Sequence, residues 1–93
     1  MRLKEQERRT IADLVKEYDP EARIYLFGSR ADDRQRGGDI DLLIVSSRLT
    51  PSLKRKLKLS LYDALGEQKI DIVVAKDLSR AFVRMAASEG VLI

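Results

Sequence analysis

The sequence predicts a small α/β (α+β) domain in which a mixed β-sheet carries its helices mainly on one face. Three observations predict it. Short β-branched, apolar runs stand at Arg23–Phe27, at Ile40–Val45 and over residues 69–74. Stretches with apolar residues three and four apart lie before, between and after them. Asp-Pro, Gly-Ser and Thr-Pro punctuation separates one kind from the other. With no repeat, low-complexity tract or linker, residues 1–93 read as one domain.

The elements follow in order. Over residues 1–18, Ile11, Leu14, Val15 and Tyr18 recur at helical spacing, and Asp19-Pro20 ends the helix. The strand Arg23–Phe27 runs into the Gly28-Ser29 turn, where Ser29 suits the cap of a short helix or turn over residues 30–35. The strand Ile40–Val45 comes next and can pair with the first as an antiparallel hairpin. Thr50 caps a second helix with Pro51 at its first position; the helix runs to Gly66 with Leu53, Leu57, Leu61 and Leu65 as its apolar stripe. A third strand holds Asp71, and Asp77 or Ser79 begins a last helix carrying Leu78, Phe82 and Met85.

Two strands carry residues that strands avoid. Residues 39–45 have the composition of a buried strand, yet they open with Asp39 and Asp41. Residues two apart on a strand share a face at roughly 6–7 Å, so the carboxylates repel. A divalent cation turns that repulsion into ligation, because Mg²⁺ takes carboxylate oxygens and fills its remaining positions with water and phosphate. Asp71 sits in the third strand; if that strand lies beside the second, it joins the cluster. Three carboxylates on adjacent strands can hold two metal ions. A single such acid reads more simply as an exposed strand end or a cap; the trio behind a Gly-Ser turn does not.

The turn supplies a place for an anion. A strand entering a helix N-terminus through Gly28 brings backbone N–H groups close to a phosphate. The Ser29 hydroxyl can donate to a phosphate oxygen, with Arg30 beside it. Alone, this is ordinary capping; with Asp-x-Asp heading the next strand it becomes specific.

Gly28-Ser29, a nine-residue spacer and Asp39-Ile40-Asp41 with an apolar tail resemble the signature of the DNA polymerase β-type nucleotidyltransferases, and within them the minimal, MntA-type proteins. The resemblance spans residues 23–74. It implies the polymerase β-like nucleotidyltransferase fold, with Gly28, Ser29 and Arg30 holding the triphosphate of ATP. Asp39 and Asp41 would bind Mg²⁺, two ions in all, and Asp71 would help bind the catalytic metal and activate the acceptor hydroxyl. It further implies transfer of AMP to a hydroxyl on a partner, a small all-helical HEPN-type toxin, with this chain as the antitoxin. The chain stops soon after the third acid, so the acceptor is expected on another chain or on a second copy of this one.

Composition narrows the chemistry. No cysteine is present, which excludes disulfides, thiolate nucleophiles and zinc thiolates. No histidine is present either, which excludes Ser-His-Asp chemistry and leaves carboxylates and metal. No apolar stretch approaches a membrane span and no signal peptide shows, so a cytoplasmic protein is expected. Lys54, Arg55, Lys56 and Lys58 form the densest basic run, read either as a solvated helix face or as a lure for triphosphate or RNA. Arg34 and Arg36 in the spacer stand closer to the acids and read equally as phosphate contacts or solvated side chains; Asp32 and Asp33 read as surface. Tyr25 and Phe27 lie in a strand, so a stacking platform for single-stranded bases has little support. The apolar residues 91–93 tuck either into the domain's own core or into an interface. Two other functions stand beside nucleotidyl transfer to a protein: an occluding, non-catalytic antitoxin, and an RNA-directed transferase.

Overall fold

Among the described residues, four strands and three helices position the acids. The computed structural model describes residues 3–28, 39–66 and 68–93. Helix α1 (Glu5–Tyr18) leads into β1 (Arg23–Phe27), followed by β2 (Ile40–Val45), α2 (Pro51–Leu65), β3 (Ile70–Ala75), α3 (Ala81–Glu89) and β4 (Val91–Leu92). The sheet order is β3-β2-β1-β4. β1 pairs antiparallel with β2, as the hairpin reading expects, and β2 pairs parallel with β3 across the α2 connection. The fold is the mixed α/β sheet predicted from the sequence.

Alternation along the strands divides the molecule into two layers of packing. Ile24 and Leu26, Ile40, Leu42 and Ile44, and Ile70 and Ile72 point to one face, where they meet Ile11 and Val15 of α1 and Leu57 and Leu61 of α2. Leu43, Val45 and Ala75 point to the other, where Val83 and Ala86 of α3 cover them. Two helices thus share one face and the third takes the opposite one. β2 is covered on both sides, which explains its nearly unbroken apolar run; within it only Asp41 is polar.

Helix limits follow from local chemistry. The Thr50 side chain accepts a hydrogen bond from the Leu53 N–H at 3.2 Å with Pro51 at the first position, as read from the sequence. Only Leu57 and Leu61 of the expected stripe are fully buried in α2; Leu53 and Leu65 lie at its margin. α1 begins at Glu5 rather than at the chain start, since Leu3 is buried in extended chain and the Lys4 N–H donates to Glu7 Oε1 at 3.1 Å. α3 begins at Ala81, later than Asp77 or Ser79. The Asp77 carboxylate accepts from the Ser79 N–H and holds those residues in a turn instead. Its buried side is Val83 and Ala86, while Phe82 and Met85 are half exposed. Residues 91–93 join the sheet: Leu92 pairs with Tyr25, and the Ile93 N–H donates to the Ile24 carbonyl at 2.9 Å.

One buried polar network braces the end of β2. Asp19 and Ser46 are both nearly inaccessible, and the Ser46 hydroxyl donates to Asp19 Oδ2 at 2.6 Å. Asp19 Oδ1 accepts from the Glu21 N–H, and Ser46 Oγ accepts from the N–H groups of Arg48 and Leu49. Four donors therefore satisfy two buried side chains. The Ser46 hydrogen bond, helped by the Glu21 N–H and Arg48, outweighs burial and holds the Asp19 carboxyl below the usual carboxylate range.

Candidate active site

The acids gather where the sheet face is not covered by α3. That helix packs over β1 and the C-terminal half of β2, and Asp41 and Asp71 stand toward the N-terminal ends of β2 and β3. Asp41 lies directly across from Asp71 in the parallel β2–β3 pair, at the strand spacing of about 4.8 Å. Equal register puts both side chains on one face. Asp39, two residues before Asp41, falls on that face too, across from Lys69. The chain repeats itself here: Asp39-Ile40-Asp41-Leu42 runs beside Lys69-Ile70-Asp71-Ile72, with Ile40 and Ile70 buried underneath. The Ile40 N–H donates to the Lys69 carbonyl at 2.9 Å and fixes that register at its first rung.

Gly28 closes the third side. It follows β1, where Phe27 pairs with Asp41, and its φ of +74° is left-handed. A Cβ built on Gly28 would stand 2.4 Å from Asp41 Oδ2. Glycine is thus required twice, for the backbone turn and for room beside a carboxylate. The sequence suggested the first requirement and gave no sign of the second. Ser29 and Arg30, together with Asp32, Asp33, Arg34 and Arg36, lie outside the described residues.

Electrostatics mark Asp41 as the centre. Burial, then Asp71, then Asp39 push its carboxyl above the usual carboxylate range, and Lys69 opposes them. The Lys69 ammonium lies 3.5 Å from Asp39 Oδ2, and Asp39 and Asp71 in turn raise its own affinity for a proton. Lys69 is a site residue to which sequence reading assigned no role. Its signal was present in the matching x-Ile-Asp-Ile/Leu strings, which place Lys69 opposite Asp39 once β2 and β3 are taken as parallel neighbours.

Among the described residues, no three acidic, histidine or cysteine side chains are drawn together tightly enough to hold a metal ion. The donor chemistry nonetheless suits a hard divalent cation: three carboxylates on one face, mutually repelling, with an ammonium as their counterion. Asp39, Asp41 and Asp71 are the residues that would hold it, given rotamer changes on a fixed strand frame. The basic residues of α2 lie elsewhere. Lys54 borders a groove of about 310 Å³ with Ser47, Thr50 and Lys76, beyond the C-terminal ends of β2 and β3 and away from the acids.

Comparison with known proteins agrees with this geometry. The profile of the family described as Polymerase beta, Nucleotidyltransferase matches residues 9–93. No curated protein sequence matches the chain at significance. Among solved structures, a mutant form of the MntA–HpeT toxin–antitoxin superposes with a TM-score of 0.71 at 24% identity, covering 92% of this chain and 70% of the other. A second mutant of that system, with two aspartates in an Asp-x-Asp spacing changed to glutamate, gives 0.68 at 25% identity with the same coverage. The fold and the extent of the family match agree: this chain belongs to the polymerase beta nucleotidyltransferase family.

Proposed function

We propose that this chain transfers a nucleoside monophosphate, AMP from ATP, to a hydroxyl group on a partner protein, and that it acts as the antitoxin of a small helical, HEPN-type toxin. The observation that carries the reading is the Asp41–Asp71 register pair with Asp39 on the same face and Gly28 beside it. The toxin–antitoxin systems among its structural neighbours support the partner class.

In this reading Mg²⁺ supplies charge neutralisation for the triphosphate and for the acceptor oxygen. The chain's residues do the rest. Asp39 and Asp41 would hold that cation at the strand ends. Gly28 and Ser29, with Arg30 close by, receive the β- and γ-phosphates through N–H and hydroxyl donors. Asp71 orients the acceptor hydroxyl and takes its proton as the oxygen attacks the α-phosphorus. The new bond is oxygen to α-phosphorus, the bond broken joins the α-phosphorus to its bridging oxygen, and pyrophosphate leaves. Among the described residues no helix covers the acids, which suits an acceptor brought by another protein.

Occlusion without catalysis is the second reading. Phe82, Met85 and Leu92, all half exposed or more, favour it as apolar contacts for a bound partner. The test is co-expression of a HEPN-type toxin with the native chain or with Asp39→Asn/Asp41→Asn, scoring growth and co-purification. Transfer predicts that the variant still co-purifies but no longer protects. Protection by the variant would overturn the enzymatic reading.

A further inference from the structure

We propose that Lys69 is the site's built-in counter-cation: it holds the Asp39 carboxylate while the site is free of metal, and a divalent cation must displace it to bind. The inference rests on the nucleotidyl-transfer reading of the same site. Four charged side chains occupy one face in two ranks, Asp39 opposite Lys69 and Asp41 opposite Asp71. The three carboxylates carry three negative charges, and while no cation is bound the Lys69 ammonium compensates one of them. The rank containing Lys69 is already an ion pair, with Nζ 3.5 Å from Asp39 Oδ2. The register is fixed by the Lys69 carbonyl accepting from the Ile40 N–H, so the lysine emerges beside the acids by construction of the sheet.

Exposure decides how this pair behaves. The Lys69 side chain is 67% exposed and that of Asp39 42%, so the ammonium can swing into water without losing a buried partner. A lysine is also a single point charge on a flexible stem, whereas an arginine would grip the carboxylate through two parallel hydrogen bonds. The pair is therefore strong enough to compensate the acids and weak enough to yield. An ordinary surface salt bridge has no bearing on cation affinity. This one engages a carboxylate the cation needs and adds a positive charge where the cation must arrive, so its removal strengthens binding.

The test is calorimetric titration of Mn²⁺ into the full chain as wild type, Lys69→Met and Lys69→Arg, with thermal unfolding followed with and without the ion. The expected result is affinity roughly three- to tenfold tighter for K69M, with the gain shrinking at high salt, and no gain for K69R. K69M should also melt lower than wild type without metal and recover when Mn²⁺ is added. Equal or weaker Mn²⁺ affinity in K69M, where wild type binds, overturns the counter-cation role and leaves the enzymatic reading standing. Failure of the wild type itself to bind Mn²⁺ overturns both.

Discussion

At the scale of single residues, the site shows a conflict between stability and chemistry. Asp41 is half-buried beside two like charges, an arrangement no folding requirement explains. Asp41→Asn relieves that repulsion. Thermal unfolding without metal is expected at a higher temperature than wild type, while the initial rate of nucleotidyl transfer falls about a hundredfold or more. A variant that is both less stable and fully active would contradict the assignment. Gly28 is the complementary case. Gly28→Ala adds a Cβ within 2.4 Å of Asp41 Oδ2 and places an L residue at φ +74°. The left-handed backbone alone costs roughly 1–2 kcal/mol, and the carboxylate must move as well, so both the melting temperature and the transfer rate should drop. These roles were legible in the sequence to different degrees. Three aspartates in strand-like runs announced themselves because strands avoid them. Lys69 and the contact of Gly28 with Asp41 depend on cross-strand register, which no local pattern states.

At the scale of elements, two joints hold the strands that carry the acids. Asp19, after α1, is bound through Ser46 to the end of β2, and its carboxyl titrates below the usual range. A depressed folded-state value means that the contribution to stability is complete above the unfolded value near 3.8 and is lost as pH falls through the folded one. Urea unfolding of wild type and Asp19→Asn should therefore differ most at neutral pH and converge below about pH 4. A difference that does not shrink as the solution is acidified would show that shape, not charge, matters there. The second joint is Gly90, between α3 and β4. A Cβ there would lie 2.7 Å from the Ala86 carbonyl oxygen and 2.8 Å from that of Leu26, both backbone atoms. Gly90→Ala should separate α3 from β1 and lower stability by about 1–3 kcal/mol, read from the denaturation midpoint. Among the described residues, sequence periodicity found the three helices and the three longer strands. It left the place of residues 91–93 open, because a two-residue strand carries no alternation to read. It also drew attention to Phe82 and Met85 of α3, whereas Val83 and Ala86 form the buried side. In a nine-residue helix, large apolar residues on the flank outweigh small buried ones in any pattern.

At the scale of the whole molecule, the two-faced sheet separates support from function. α1 and α2 cover one face and α3 covers part of the other, and no helix among the described residues covers the strand ends that carry the acids. No helix among the described residues is long and apolar enough to cross a membrane. The fold class was legible from composition and element order alone, since a βαβ crossover beside a hairpin admits few sheets. The chemistry was legible because the acids break the strand rules in the same place. Nucleotidyl transfer moves the α-phosphorus of the donor, whereas phosphoryl transfer moves the γ-phosphorus. The most direct measurement runs parallel reactions with ATP labelled at the α- or the γ-phosphorus, Mg²⁺ and the HEPN-type toxin partner as acceptor. Label from the α-position on the acceptor, none from the γ-position, and loss of the signal in each of Asp39→Asn, Asp41→Asn and Asp71→Asn is the predicted result. Transfer of γ-label, or α-label that survives those substitutions, would contradict it.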